Sequence, residues 1–131
     1  LEWGSDVREV FPRGQFRTIL GSDLTYSDDL HGPLLLTLLQ LVTEETEVVL
    51  AVTRRKNTGA SKWQSRFRRY FDVEPLASEE EVAGYASLGV TAKAGQPIGI
   101  FRLRYVGPPP FEEDLSATLE GLDAEDTEAV L

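Results

Sequence analysis

Between residues 30 and 42, Leu30, Leu34, Leu35, Leu38, Leu39 and Val42 recur at spacings of three and four. That is the periodicity of an α-helix with one broad apolar face. Two short apolar runs flank it, residues 16–22 before and residues 48–52 after. Strand, helix and strand in that order predict two parallel strands joined by a helical crossover, and hence an α/β fold. The second run, Val48-Val49-Leu50-Ala51-Val52, is apolar at every position, the pattern of a strand covered on both faces. Ser27, Asp28 or Asp29 can cap the helix, and Pro33 is compatible with it near the first turn.

Further along, residues 54–60 are polar and include Asn57 and Gly59, which predicts a loop. Ser61 then opens a helix with Trp63, Phe67, Tyr70 and Phe71 on one side. Residues 71–76 form a short strand stopped by Pro75. Ser78 with Glu81 three residues later is a capping-box pattern for a brief helix through Tyr85. Residues 98–106 alternate over Ile100 to Arg104, as a strand with two unlike faces does. Gly107 followed by three prolines closes a domain of residues 1–107, and residues 108–131 form an acidic tail predicted to be disordered or loosely helical.

The tail explains the charge. The chain of 131 residues carries −9, with 22 acids against 13 bases, but eight of the acids lie beyond Arg104, where no base occurs. The remainder is nearly neutral, so the acidity does not describe the surface of the fold. There is no cysteine and one histidine, His31, which excludes a disulfide framework, a thiolate metal site and a cysteine nucleophile. No metal site is expected. No run of apolar residues approaches the ~20 needed to span a bilayer, so the expectation is a protein of the cytoplasm or nucleus. The opening residue is Leu1, and the chain reads as a piece of a longer polypeptide.

Open parallel sheets bind ligands beyond the carboxyl ends of their strands. Ser22, Asp23 and Tyr26 fall there. A carboxylate at that place can attract a cation, and an aromatic ring can line a channel and contact a cation through its face. The same residues can equally serve only to turn the chain after a strand. A basic segment, Arg54, Arg55, Lys56, Lys62, Arg66, Arg68 and Arg69, is interleaved with Trp63, Phe67 and Tyr70. Bases with aromatics can bind a nucleic-acid backbone and stack bases, but helical spacing predicts that these rings pack on the sheet, with Arg66 and Arg69 solvated beside them. His31 reads as a residue of the helix's first turn rather than as a catalytic base.

Leu1-Glu2-Trp3-Gly4 followed by Ile19-Leu20-Gly21-Ser22-Asp23-Leu24-Thr25-Tyr26 resembles the seven-β-strand, class I protein-lysine methyltransferases that carry an Asp-x-x-Tyr signature. The resemblance extends through the leucine helix, the strand ending in basic residues and the closing strand, residues 1 to about 106 in all. It implies the C-terminal half of a Rossmann-like sheet: two parallel strands with helices, closed by an antiparallel strand pair. It implies S-adenosylmethionine as cofactor, with Trp3 against the adenine and Gly4, Ser22 and Asp23 also on the cofactor side. Asp23 and Tyr26 take the catalytic positions, near the methyl donor and the entry of a protein substrate's lysine. The implied reaction is displacement of the cofactor's methyl group by a neutral lysine amine, whose reference pKa of ~10.4 must be overcome.

The family's glycine-rich cofactor loop has no counterpart, since Gly4, Gly14, Gly21 and Gly32 form no Gly-x-Gly turn after a strand. The chain alone is therefore not expected to methylate a substrate. Two alternatives stand beside the protein-lysine reading. One is a nucleic-acid methyltransferase of the same fold, against which Leu24 and Thr25 stand where that class carries prolines. The other is a non-catalytic interaction module. Half a sheet also leaves the edge of its first strand open, either to the other half of the fold or to self-association.

Overall fold

The fold was obtained as a computed structural model, which describes residues 2–24, 28–53, 63–85 and 97–107. Strand β1 (Thr18–Ser22) leads to helix α1 (Asp28–Leu41) and strand β2 (Glu47–Thr53). Helix α2 (Trp63–Phe67), strand β3 (Phe71–Ala77), helix α3 (Glu79–Ala83) and strand β4 (Ile98–Tyr105) follow. The strands form a sheet in the order β1-β2-β4-β3. β1 and β2 are parallel, with Ile19 opposite Val48 and Ser22 opposite Ala51. β4 runs antiparallel to both β2 and β3. The mixed α/β architecture is as expected, with a parallel pair and an antiparallel closing pair. The acidic tail of residues 108–131 lies outside the described residues.

Strand alternation divides the sheet into two unlike faces. Val48, Leu50 and Val52 of β2 point to the same side as Leu103 and Tyr105 of β4 and Phe71 of β3, where α1 and α2 pack to form the core. Trp63 and Phe67 meet edge to face at 5.5 Å, and Trp63 meets Phe101 at 5.2 Å, geometry that aromatic rings favour. The expected helix is shorter: Trp63 and Phe67 pack from α2, whereas Phe71 packs from the start of β3 and Tyr70 lies half-buried in the turn between them. Arg66, expected in solvent, is instead buried, while Arg69 is exposed.

Three further expectations give way to packing. The two faces of β2 are unequally covered, for its burial alternates strictly and Val49 and Ala51 are half-buried where Val48, Leu50 and Val52 are buried. An apolar composition did not distinguish a strand with two fully covered faces from one with unequal faces. Pro75 does not stop β3; the strand continues to Ala77 with a register shift between Pro75 and Ala77. β3 is a sheet edge, where the missing amide hydrogen costs little. Finally, α1 has more than one apolar face. Leu34 through Val42 are all buried, Thr37 and Gln40 included, because one side of the helix rests on the sheet and another lies under the chain that precedes β1.

That leading segment is tied to α1 by hydrogen bonds. The Gly4 amide donates to Thr37 Oγ1 at 2.9 Å and the Val7 amide to Gln40 Oε1 at 2.8 Å. Gln40 Nε2 donates to the carbonyls of Ser5 and Leu36, at 2.9 and 3.2 Å. Arg13 donates to the Leu39 carbonyl and the Gly14 amide to that of Leu41. The buried amide of Gln40 is thereby satisfied at both ends, which offsets its desolvation. Near the start of this segment, Arg8 pairs with Asp6 at 2.9 Å and holds the Asp6 carboxyl down at about 2. No helix among the described residues is long and apolar enough to cross a membrane.

The two faces predict opposite responses to truncation. Phe67→Ala removes a fully buried ring and is expected to cost about 3–5 kcal/mol in urea unfolding. Leu20→Ala on the open face, where Leu20 is 75 % exposed, is expected to fall within about 0.5 kcal/mol of the parent. Similar losses for both would contradict this division of the sheet.

Candidate active site

The site is built at the carboxyl end of the parallel pair. Where β1 ends, the Asp23 amide donates to the Ala51 carbonyl of β2 at 3.0 Å. Asp23 has φ of 55°, in the left-handed region. Most side chains are strained there, whereas Asp and Asn tolerate it best after glycine. The turn sends the chain back so that Leu24 lies over Gly21 and packs on the core. A methyl group on Gly21 would come within 2.6 Å of Leu24 Cδ1 and 2.8 Å of Leu50 Cδ2. The sequence Gly21-Ser22-Asp23-Leu24 is thus one structural unit. The glycine leaves a notch, the leucine fills it, and the aspartate between them is held half-buried at the strand end.

Ser22 points to the opposite face from Gly21 and is exposed. Tyr26 lies outside the described residues. Trp3 is half-buried against the same apolar cluster that receives Leu24. Gly4 adopts φ of 85° and is anchored on Thr37, about 13 Å of helix rise from the start of α1. Trp3 and Gly4 therefore belong to the segment strapped along α1, and Ser22 and Asp23 to the end of β1. Below this turn His31 is fully buried and meets Phe67 edge to face at 6.4 Å. It lies in the first turns of α1, as its sequence position indicated, and is enclosed by the core.

Two features that position the candidate site are not among the residues the sequence pattern singles out. Leu24 is an inner position of the Asp-x-x-Tyr pattern, and its signal is the pairing of a glycine with a leucine three residues on. Thr37 and Gln40 are the other feature, and two polar residues inside a leucine-rich helix are a signal for buried hydrogen bonds.

The glycine geometry bears on the cofactor. Gly4 and Gly14 are the positive-φ glycines among the described residues. Gly4 is occupied with Thr37, and a methyl group on Gly14 would come within 2.9 Å of Thr43 Cγ2. The notch at Gly21 is filled by Leu24. At Gly14 and Gly21 the close approach is taken by the chain's own side chains, so neither offers an open cradle for a nucleoside or an amino-acid group. Nor do the described residues contain three clustered side chains able to hold a metal ion. The rings of Trp63 and Phe67, 1 % and 0 % exposed, are closed to nucleobases.

A family model described as lysine methyltransferase matches residues 1–69, just over half of the chain. The chain belongs to the lysine methyltransferase family. Within that family match fall the strapped segment, β1, the Asp23 turn, α1 and β2, followed by α2. No curated protein matches the sequence.

The notch predicts a measurable coupling. Gly21→Ala forces Leu24 and Leu50 aside and is expected to destabilise the fold by about 1–3 kcal/mol. In the Gly21→Ala/Leu24→Ala double variant, the space vacated by Leu24 accepts the new methyl group. The double variant should then be more stable than the two single losses imply, by about 1 kcal/mol in urea unfolding. Strict additivity would contradict the contact.

Proposed function

We propose that this chain forms the lysine-side wall of an S-adenosylmethionine-dependent protein-lysine N-methyltransferase site. The observation that carries the proposal is the placement of Asp23. Its carboxylate stands at the carboxyl end of a parallel strand in a chain of the lysine methyltransferase family, with its backbone fixed by the Ala51 carbonyl and the Leu24 anchor. Asp23 and Tyr26 take the catalytic positions in this reading, and Trp3, Gly4, Ser22 and Asp23 face the cofactor. The parallel pair closed by an antiparallel pair supports its assignment as the C-terminal half of a Rossmann-like class I sheet.

Bound S-adenosylmethionine would supply the methyl group. The described residues do not make a full site for it, because the notches at Gly14 and Gly21 are filled by the chain's own side chains. Their contribution is positional. A lysine ammonium approaching the strand end meets the Asp23 carboxylate, a charge fixed in direction by the left-handed turn. Orientation of this kind accounts for a large share of the rate enhancement in displacement reactions. The amine must lose its proton before attack, and burial at the sheet end disfavours the charged form. The substrate class is a protein presenting a lysine side chain.

The test is a chimaera in which these residues follow the glycine-loop half of a lysine methyltransferase, assayed for transfer of labelled methyl to protein. Asp23→Ala is expected to lower kcat/KM by about 100-fold, and Tyr26→Phe to lower it less. Full activity in both variants, or label transferred to nucleic acid and not to protein, would overturn the assignment.

A further inference from the structure

A hollow of about 590 Å³ lies at the end of the sheet away from Asp23. The length of β2, roughly 20 Å, separates the two places. Three parts of the chain wall it. Helix α1 ends at Leu41, and the turn after it is held by Thr46. Thr46 Oγ1 accepts from the Thr43 amide at 3.1 Å and donates to the Phe16 carbonyl at 3.2 Å. That turn presents the exposed carboxylates of Glu44 and Glu45. The segment before β1 supplies Arg13, anchored on the Leu39 carbonyl at 2.9 Å. β4 supplies Tyr105 at its last position, with Val106 after it.

Tyr105 is unusual among these residues. It is 7 % exposed and its ring meets that of Phe71 at 6.0 Å, yet its buried hydroxyl has no hydrogen-bond partner. Buried polar groups are nearly always paired, and an exception calls for a reason. The hydroxyl lies within electrostatic reach of Arg13 and Glu44, which both line the hollow. Burial pushes its pKa up, so near neutral pH it keeps its proton and can donate.

The charges around the hydroxyl are of both signs and are not joined. Among the described residues Arg13 makes no ion pair with Glu44 or Glu45. Its guanidinium gives one N–H to Leu39 and carries others. A carboxylate placed here would accept from Tyr105 and Arg13 together. A compact dianion such as phosphate would also meet two carboxylates, and like charges disfavour it. A molecule with a carboxylate and an ammonium a few bonds apart satisfies both signs. Val42, Val106 and the Tyr105 ring add apolar wall, and the volume is that of a small-molecule site.

We propose that this hollow binds an α-amino acid zwitterion with an apolar side chain. Its carboxylate takes the Tyr105 hydroxyl and Arg13, and its ammonium meets Glu44 or Glu45. The site stands apart from methyl transfer and does not depend on the role of Asp23.

The probes are L-phenylalanine and its two single-charge analogues, 3-phenylpropanoate and 2-phenylethylamine. Each is titrated into the 131-residue chain, with the amide resonances of residues 42–45 and 105–107 followed by NMR. L-phenylalanine is expected to shift those amides saturably and to bind at least about tenfold more tightly than either analogue. Tyr105→Phe keeps the ring on Phe71 and removes only the unpaired hydroxyl. Its thermal midpoint should therefore match or exceed the parent's, while phenylalanine binding weakens about tenfold. Replacing both carboxylates, Glu44→Gln with Glu45→Gln, should weaken phenylalanine by a similar factor and leave 3-phenylpropanoate binding undiminished. The proposal is overturned by no saturable shift with L-phenylalanine, by equal binding of 3-phenylpropanoate, or by indifference to Tyr105→Phe.

Discussion

The packing of α1 against β2 and β4 is the interaction on which the rest of this structure depends. Leu35, Leu36 and Leu39 are almost wholly buried, and Val48, Leu50 and Leu103 meet the same core from the sheet. Burial on this scale dominates the favourable side of folding. It also fixes two things that packing alone would leave free. The strap that carries Trp3 and Gly4 takes its position from Thr37 and Gln40 of this helix. The Asp23 turn takes its position from Leu24, which drops into the same cluster beside Leu50. A displacement of α1 would therefore disturb both halves of the candidate site together.

Regular elements were legible in the sequence because their signals are local. The spacing of the leucines marked α1, and the alternation over Ile100 to Arg104 marked β4. The capping box was visible as well, and Ser78 Oγ accepts from the Glu81 amide at 3.1 Å as that pattern requires. What the sequence did not reveal depends on tertiary partners. Nothing local indicates that Val49 and Ala51 stand on the less covered face, because that depends on which helices reach the sheet. Pro75 looked like a strand end, yet an edge position removed the penalty. Arg66 looked solvated, yet α2 turns it inward. The anchoring of Asp23 through Leu24 was hidden for the same reason: the contact exists only once β2 supplies Leu50 as the floor of the notch.

Membership of the lysine methyltransferase family and the geometry of the β1 turn meet at Asp23. The family match identifies the class of protein. The structure adds that the carboxylate is mounted on a backbone constrained by a left-handed turn, a glycine notch and a bond to the neighbouring strand. It also shows that the notch at Gly21 beside this turn is filled by Leu24. On this account the described residues carry the wall that a substrate lysine approaches and only part of the cofactor's surroundings, too little to hold it alone.

Calorimetric titration of S-adenosylmethionine into the 131-residue chain tests that central claim most directly. The account predicts no heat of specific binding at cofactor concentrations up to about 1 mM, a limit equivalent to roughly 4 kcal/mol of binding free energy. Saturable binding at micromolar concentration, lost in Asp23→Ala, would show that these residues hold the cofactor unaided and would contradict it.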